Sequence, residues 1–375
     1  MAQVHSRTRS LIWWYEEVMC PATLAAGLLA LLIRWIPLYV QMLGDAEYAQ
    51  MAIAPGAPVG HLHRYRVLVP AIVRWLPCDL VTGFRVVTYS STFMVSLLVG
   101  RICRAIGLSP KRALIGIPMY LLTWPTLANF YQPRLVDPLA WVFVAAGLLL
   151  ILRGHARAAI LVGGIGALAK EMVIPIIPLA IWALLRERPR PSFMKLGVTL
   201  FAAALPYAWV LATIPGNVSS GGGVGNVLHY LVTRPGVQLD QVGSLRTLLY
   251  LFFPYGALWV LAPLGLPRIP CATRRILVAW IICTAPFILM GAPERMLEVQ
   301  APALLPLAAC GLLAASPLLS ALIVVANGLF ITRIATIAVP FWAAWGSLGF
   351  ALACSLWLWY RAFKEGFMRP PHAWQ

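Results

Sequence analysis

Apolar runs about twenty residues long recur throughout this chain, and they leave few architectures open. Leu80 to Gly100 is interrupted by Arg85 alone, and Leu196 to Ile214 by no charge at all. A helix rises about 1.5 Å per residue, so about 20 apolar residues match a hydrocarbon core about 30 Å thick. Lipid cannot hydrogen-bond the backbone, so such runs must satisfy their N–H and C=O groups internally, as helices do. Only 11% of the residues are charged, 61% are hydrophobic and the mean hydropathy is +0.82; soluble domains carry about twice that charged fraction. The expectation is an all-α membrane protein, a polytopic helical bundle of about 10–12 transmembrane segments. It forms one integral membrane domain over residues 1–375, with no internal repeat and no sizeable soluble domain.

The net charge of +17 raises nucleic acid as a partner, but that reading needs the bases gathered on one soluble face. Here they lie between apolar runs, as the positive-inside rule describes, and no nucleic-acid partner is expected. Threading the chain on that rule puts both termini in the cytoplasm of a multi-pass cell-membrane protein. Spans then run from about Met19 to Leu43, Leu80 to Gly100, Ala113 to Ala128 and Pro138 to Leu152. Two short segments, Ala158 to Ala169 and Met172 to Leu185, form shielded helices or a re-entrant pair. The remaining spans lie between Leu196 and Tyr360. A majority of the 29 Lys and Arg fall inside, including Arg101, Arg104, Lys111, Arg112, Arg268 and Arg361. An amphipathic stretch, Tyr65 to Leu76, lies along the interface or forms part of a tilted span. Many of the 30 prolines sit inside apolar runs and imply kinked or broken helices. The seven cysteines show no CxxC spacing and read as small hydrophobes. No cleavable signal peptide is expected.

The chain has 12 acidic residues. Glu16, Glu17, Glu187 and Glu365 fall at cytoplasmic ends, whereas Asp45, Glu47, Asp79, Asp137, Glu171, Asp240, Glu294 and Glu298 all thread to the outer side. Several adjoin a base: Arg134 lies near Asp137, Lys170 precedes Glu171 and Arg295 follows Glu294. Charge at membrane depth costs at least about 2.5 kcal/mol per residue, so these groups should face water, a partner or a ligand. An outward-facing polar cavity is expected. The plain alternative is that loops are simply where charge is tolerated.

The order of three motifs resembles the GT-C superfamily of polytopic glycosyltransferases that use lipid-linked sugars, including the protein mannosyltransferase and aminoarabinose transferase branches. GDAEYAQMA supplies Asp45 and Glu47 after the first span, RLVDPLAWVFVAAGLLL supplies Asp137 and Pro138, and GGIGALAKEMVIPIIPLA supplies Lys170 and Glu171. The likeness covers residues 22–185; residues 196–360 match only as additional transmembrane spans. Ala46 splits the acidic pair that such families often carry adjacent. The resemblance implies an inverting hexosyl- or pentosyltransferase that moves a sugar from a polyprenyl-phosphate donor to an acceptor on the outer face.

In that chemistry a carboxylate removes the proton of the attacking hydroxyl, and cations stabilise charge on the departing phosphate. Asp45 is the expected base. Asp137 and Glu171 orient the acceptor or the cations. Lys170, Arg66, Arg64, Arg134, Arg295 and Glu47 are the expected substrate-binding residues. No cofactor is required, although Asp45, Asp137 and Glu171 are oxygen ligands of the kind a divalent cation takes; His61 and His63 have ligand-like spacing but read as loop residues. Asn217-Val218-Ser219 matches a glycosylation triplet of a kind common by chance. No GxSxG elbow, HExxH helix or Walker motif is present, which counts against the usual hydrolases, zinc proteases and ATP-driven pumps. The competing readings are a transporter or lipid flippase, whose key charges sit near mid-bilayer, and a non-catalytic assembly subunit. The sugar, the lipid and the acceptor are not encoded in these motifs.

Overall fold

A computed structural model describes residues 14–36, 43–54, 66–131, 135–186, 192–213, 251–288, 297–336 and 339–364. These residues are helical with no strand among them. A π-helical turn, Tyr15–Met19, enters α1 (Cys20–Trp35). There follow α2 (Leu43–Ile53), α3 (Leu68–Trp75), α4 (Leu80–Ala105), α5 (Pro110–Ala113), α6 (Gly116–Leu121), α7 (Trp124–Tyr131), α8 (Asp137–Leu152), α9 (Ala156–Gly166), α10 (Ile176–Leu185) and α11 (Phe193–Thr213). The second half holds α12 (Leu258–Gly265), α13 (Cys271–Ile288), α14 (Ala301–Gly311), α15 (Pro317–Thr336) and α16 (Phe341–Lys364).

Five helical stretches are long and apolar enough to cross a membrane: Tyr15–Trp35, Leu80–Ala105, Phe193–Val210, Leu297–Ala314 and Phe341–Lys364. The run expected to cross from Ala113 is instead broken, with Pro110–Leu121 and Trp124–Phe130 bent by 57°. Pro125 follows the break and cannot donate a helical hydrogen bond. The Tyr120 carbonyl exposed there is satisfied by the hydroxyls of Thr123, at 2.8 Å, and Thr126, at 3.0 Å, which is how a broken helix survives at membrane depth. Four further apolar helices, Asp137–Leu152, Ala156–Gly166, Glu171–Leu185 and Pro317–Arg333, are shorter. The first expected span also stops early, at Trp35, and Asp45 lies on the separate helix α2.

The bundle has two chemically different ends. At one, Glu17 is buried and accepts from Arg101 and Arg104, each at 2.8 Å, in the last turns of α4. At the other, Asp79 caps α4 by accepting the Thr82 N–H at 3.0 Å, which supplies a partner for one of the orphan donors of the first turn. A small core of Tyr48, Met51, Val69, Val73, Phe84 and Val136 packs α2, α3 and the start of α8 against that same end. The amphipathic stretch is helical from Leu68 to Trp75, with Val69, Pro70 and Val73 buried.

Helices α12 and α14 cross at backbone contact. A Cβ on Gly265 would overlap the Leu307 carbonyl, and one on Gly311 the Leu261 carbonyl, so small residues set the approach of the two axes. Every residue of α14 is buried. Arg268, threaded to the cytoplasmic side, is buried and donates to the carbonyls of Cys310 and Gly311 at 3.0 and 2.9 Å. A guanidinium there satisfies the open carbonyls at the end of α14 and complements its dipole.

Candidate functional site

Helices α8 and α9 form a hairpin, and its geometry builds the site. Asp137 opens α8, with Pro138 in the first turn, where a missing N–H costs nothing and a carboxylate meets the positive end of the dipole. The chain runs down α8, turns at Gly154, returns along α9 and breaks after Gly166. Lys170, in the break, is extended at φ −164° and ψ 139°. It lies beside Asp137: Lys170 Nζ donates to Asp137 Oδ1 at 2.5 Å, with side chains 2% and 3% exposed. The ammonium also sits 5.4 Å from the ring centroid of Trp141, one turn along α8, in the range of a cation–π contact.

Successive side chains on an extended backbone point opposite ways, so Glu171 faces a different partner. Arg66 engages it with two nitrogens, Nε to Oε2 at 3.0 Å and Nη2 to Oε1 at 2.5 Å, the bidentate fork that suits guanidinium and carboxylate. Arg66 Nη1 donates to the Tyr48 hydroxyl at 2.9 Å. Burial pushes the Tyr48 phenol up to about 12, against the opposing pull of Arg66, so it stays protonated at neutral pH. The break itself is pinned where the Leu68 N–H donates to the Leu168 carbonyl at 3.1 Å. That bond joins the start of α3, two residues after Arg66, to the loop carrying Lys170.

A second buried carboxylate adjoins this cluster. Glu298, in the 3₁₀ turn Leu297–Gln300, accepts from Tyr120 Oη at 3.1 Å and from Asn129 Nδ2 at 3.1 and 3.3 Å. It lies close enough to Asp137 for their charges to interact, and the Trp141 indole faces it. Tyr255 Oη and Trp280 Nε1 hold the turn by donating to the carbonyls of Leu297, at 2.6 Å, and Val299, at 2.9 Å.

Of the expected site residues, Asp137, Lys170, Glu171 and Arg66 come together. Glu47 lies half-buried on α2 beside Tyr48. Asp45 stands three residues before Tyr48 on the same helix, but its side chain lies outside the described residues. Arg64, Arg134, Arg295, His61, His63, Asp240, Glu294 and Asn217 also lie outside them. Two expectations change. The neighbours Lys170 and Glu171 are not a pair in space: Lys170 turns to Asp137, and Glu171 takes Arg66. Nor do Asp137, Lys170 and Glu298 face water, being 2%, 1% and 1% exposed; each meets a protein partner instead. Glu171, with a side chain 35% exposed, is the part of the cluster most open to solvent.

Among the described residues no three His, Cys, Asp or Glu side chains gather as a metal set. Asp137 and Glu171 each engage a cation of the protein, and the side chain of Asp45, the third expected oxygen ligand, lies outside the described residues. Tyr48 and Glu298 were not among the expected site residues. Tyr48 lies inside the GDAEYAQMA motif, and Glu298 was one of the acids threaded to the outer side; no spacing rule ties either to Arg66 or Asp137.

The fold and cluster define a class: an all-α protein with apolar helices of membrane-crossing length and a buried acid–base network at one end. Comparison of the sequence with protein-family models and with curated proteins finds no match.

Proposed function

We propose that this chain is a polytopic membrane glycosyltransferase with a GT-C-like arrangement, transferring a sugar from a polyprenyl-phosphate donor to an acceptor hydroxyl at the outer face. One observation carries the reading. Two cations and two carboxylates from three separate segments, Arg66, Asp137 and the Lys170–Glu171 pair, meet at the end of the bundle opposite Arg101 and Arg104. The helix bearing Asp45 joins them through Tyr48. The basic end is then cytoplasmic by the positive-inside rule, and the cluster lies on the outer side.

In this state both cations are neutralised by carboxylates. A donor phosphate entering beside the more exposed Glu171 competes for Arg66, and a displaced carboxylate becomes a proton acceptor within reach of an incoming hydroxyl. The acceptor oxygen bonds to the anomeric carbon as the bond from that carbon to the phosphate oxygen breaks. The hydroxyl proton passes to the carboxylate, Asp45 in the sequence-based assignment, and the phosphate departs with the electron pair. Arg66 and Lys170 stabilise the charge it gains. Inversion follows from a single displacement.

Transfer of labelled sugar from a polyprenyl-phosphate donor, measured in membranes, tests the proposal. Asp45→Asn and Glu171→Gln are expected to abolish product while the variants remain folded and inserted. Product formation at the wild-type rate by both would remove the assignment. A buried ion pair at a helix break is also a way for transporters to hold charged substrates. That reading predicts label crossing sealed vesicles with no glycosylated product.

A further inference from the structure

A cleft of about 300 Å³ opens between α5, α6, the end of α14 and the first half of α15, at the basic end and therefore remote from the Asp137 cluster. Its walls are apolar: Leu114, Ile115, Pro118, Leu312, Ala321 and Val325 are among them. At its mouth stand Lys111 and Arg112, both exposed. No carboxylate lines the cleft, and among the described residues neither cation forms an ion pair. Arg112 Nη1 is held by the Leu313 carbonyl at 3.2 Å, which fixes the guanidinium across the opening while leaving most of its five N–H donors for a ligand. The neighbouring bases differ in just this respect, since Arg101 and Arg104 already close on Glu17.

An apolar trough between helices ending in two cations, with no compensating acid, is complementary to a molecule that carries an anion on an apolar tail. We infer that this cleft binds an anionic glycerophospholipid, its phosphate against Lys111 and Arg112 and an acyl chain along α15. Basic pockets between membrane helices at the cytoplasmic level take acidic headgroups in this way. The volume is at the lower edge of the range of about 300–1,000 Å³ usual for ligand sites, enough for part of one chain rather than a whole lipid. The inference does not depend on the transferase proposal, since none of these residues touches that cluster.

The full-length protein, purified in detergent and stripped of lipid, is titrated with phosphatidylglycerol and with phosphatidylcholine of the same acyl chains, and binding is read by native mass spectrometry. Two surface cations should favour the anionic lipid on the order of 10-fold or more. Lys111→Gln with Arg112→Gln, at exposed positions, should bring the two lipids level without changing the melting temperature. Ala321→Trp, which fills the trough, should weaken both. Glycerol phosphate, lacking the tail, should fail to displace the lipid. Equal binding of the two lipids by the wild type, an unchanged preference in the double variant, or displacement by glycerol phosphate would each overturn the inference.

Discussion

Asp137→Leu and Lys170→Met, made singly and together, measure how strongly the α8–α9 hairpin depends on its buried pair. The two side chains are 3% and 2% exposed and meet at 2.5 Å, so water screens them little. At an effective dielectric of 20, unit charges 4 Å apart attract by about 4 kcal/mol, and removing one member of a buried pair costs about 3–5 kcal/mol because the other is left uncompensated. The two single changes should not cost the same. Without Asp137, the ammonium still has Glu171 within electrostatic range, which places Asp137→Leu near 3 kcal/mol, the lower edge of that range. Without Lys170, Asp137 loses its cation in a site where its side chain is 3% exposed, and Lys170→Met should cost about 5 kcal/mol. The double variant replaces the pair with apolar groups of similar length, an exchange that is often close to neutral. It should therefore be more stable than Lys170→Met alone, which requires a coupling larger than the loss of about 3 kcal/mol from Asp137→Leu, above the range usual for residues in contact. Reversible unfolding of the purified protein in mixed detergent micelles supplies the four free energies. Additive losses, or a double variant no more stable than Lys170→Met, would show that the pair is not the buried, mutually compensating contact described here.

Three further outcomes test other parts of the structure. An impermeant maleimide applied to intact cells should label Cys78, exposed beside the start of α4, and spare Cys271, exposed at the opposite basic end; the reverse pattern would invert the assigned orientation. Gly265→Ala forces a methyl group into the Leu307 carbonyl and should destabilise by about 1–3 kcal/mol or more, as overpacking does, whereas Gly346→Ala, with nothing within 4 Å, should not; thermal melting compares them. Asp79 is held below its ordinary value of 3.8 by its bonds to Thr82, so its capping contribution is present above about pH 4 and lost as pH falls through the lowered folded value. Asp79→Ala should flatten the acid limb of the stability profile, and an unchanged limb would refute the cap.

Helical class and the positions of several apolar helices were legible because both follow from local composition. Among the described residues, however, five helices, or six with the bent pair, are long and apolar enough to cross a membrane, against the expected number of about 10–12. Leu80 to Gly100 became Leu80–Ala105, and Pro138 to Leu152 became Asp137–Leu152; apolarity sets such lengths, and Asp79 and Pro138 mark the starts. The break at Lys170 was visible as two segments too short to cross comfortably. What the pattern could not supply was partnership. Sequence neighbours suggested Lys170 with Glu171, yet an extended residue at the break sends the two side chains apart, and each then meets a charge 33 or 105 residues away. Broken helices were expected from prolines in apolar runs, but the place of the kink after Leu121 was not legible, because its satisfaction depends on the hydroxyls of Thr123 and Thr126.

Burial decides among the expected surroundings of these charges in favour of protein partners. Insertion cost argues that charge at span edges needs compensation, and the sequence offers only chain neighbours as candidates. Folding supplies several: Lys170 for Asp137, Arg66 for Glu171, and for Glu298 the neutral donors Tyr120 and Asn129. The last case differs in kind from the other two. A carboxylate among neutral donors, close to a second carboxylate, gains nothing from fold rigidity that an amide in its place would not also give. The acid at this position is therefore the point on which structural and chemical roles separate. Glu298→Gln preserves the size and an acceptor oxygen for Tyr120 and Asn129, so a purely structural Glu298 predicts unchanged unfolding and unchanged transfer. If the charge it shares with Asp137 sets the field around Lys170, the same substitution leaves folding intact but changes the pH profile of transfer.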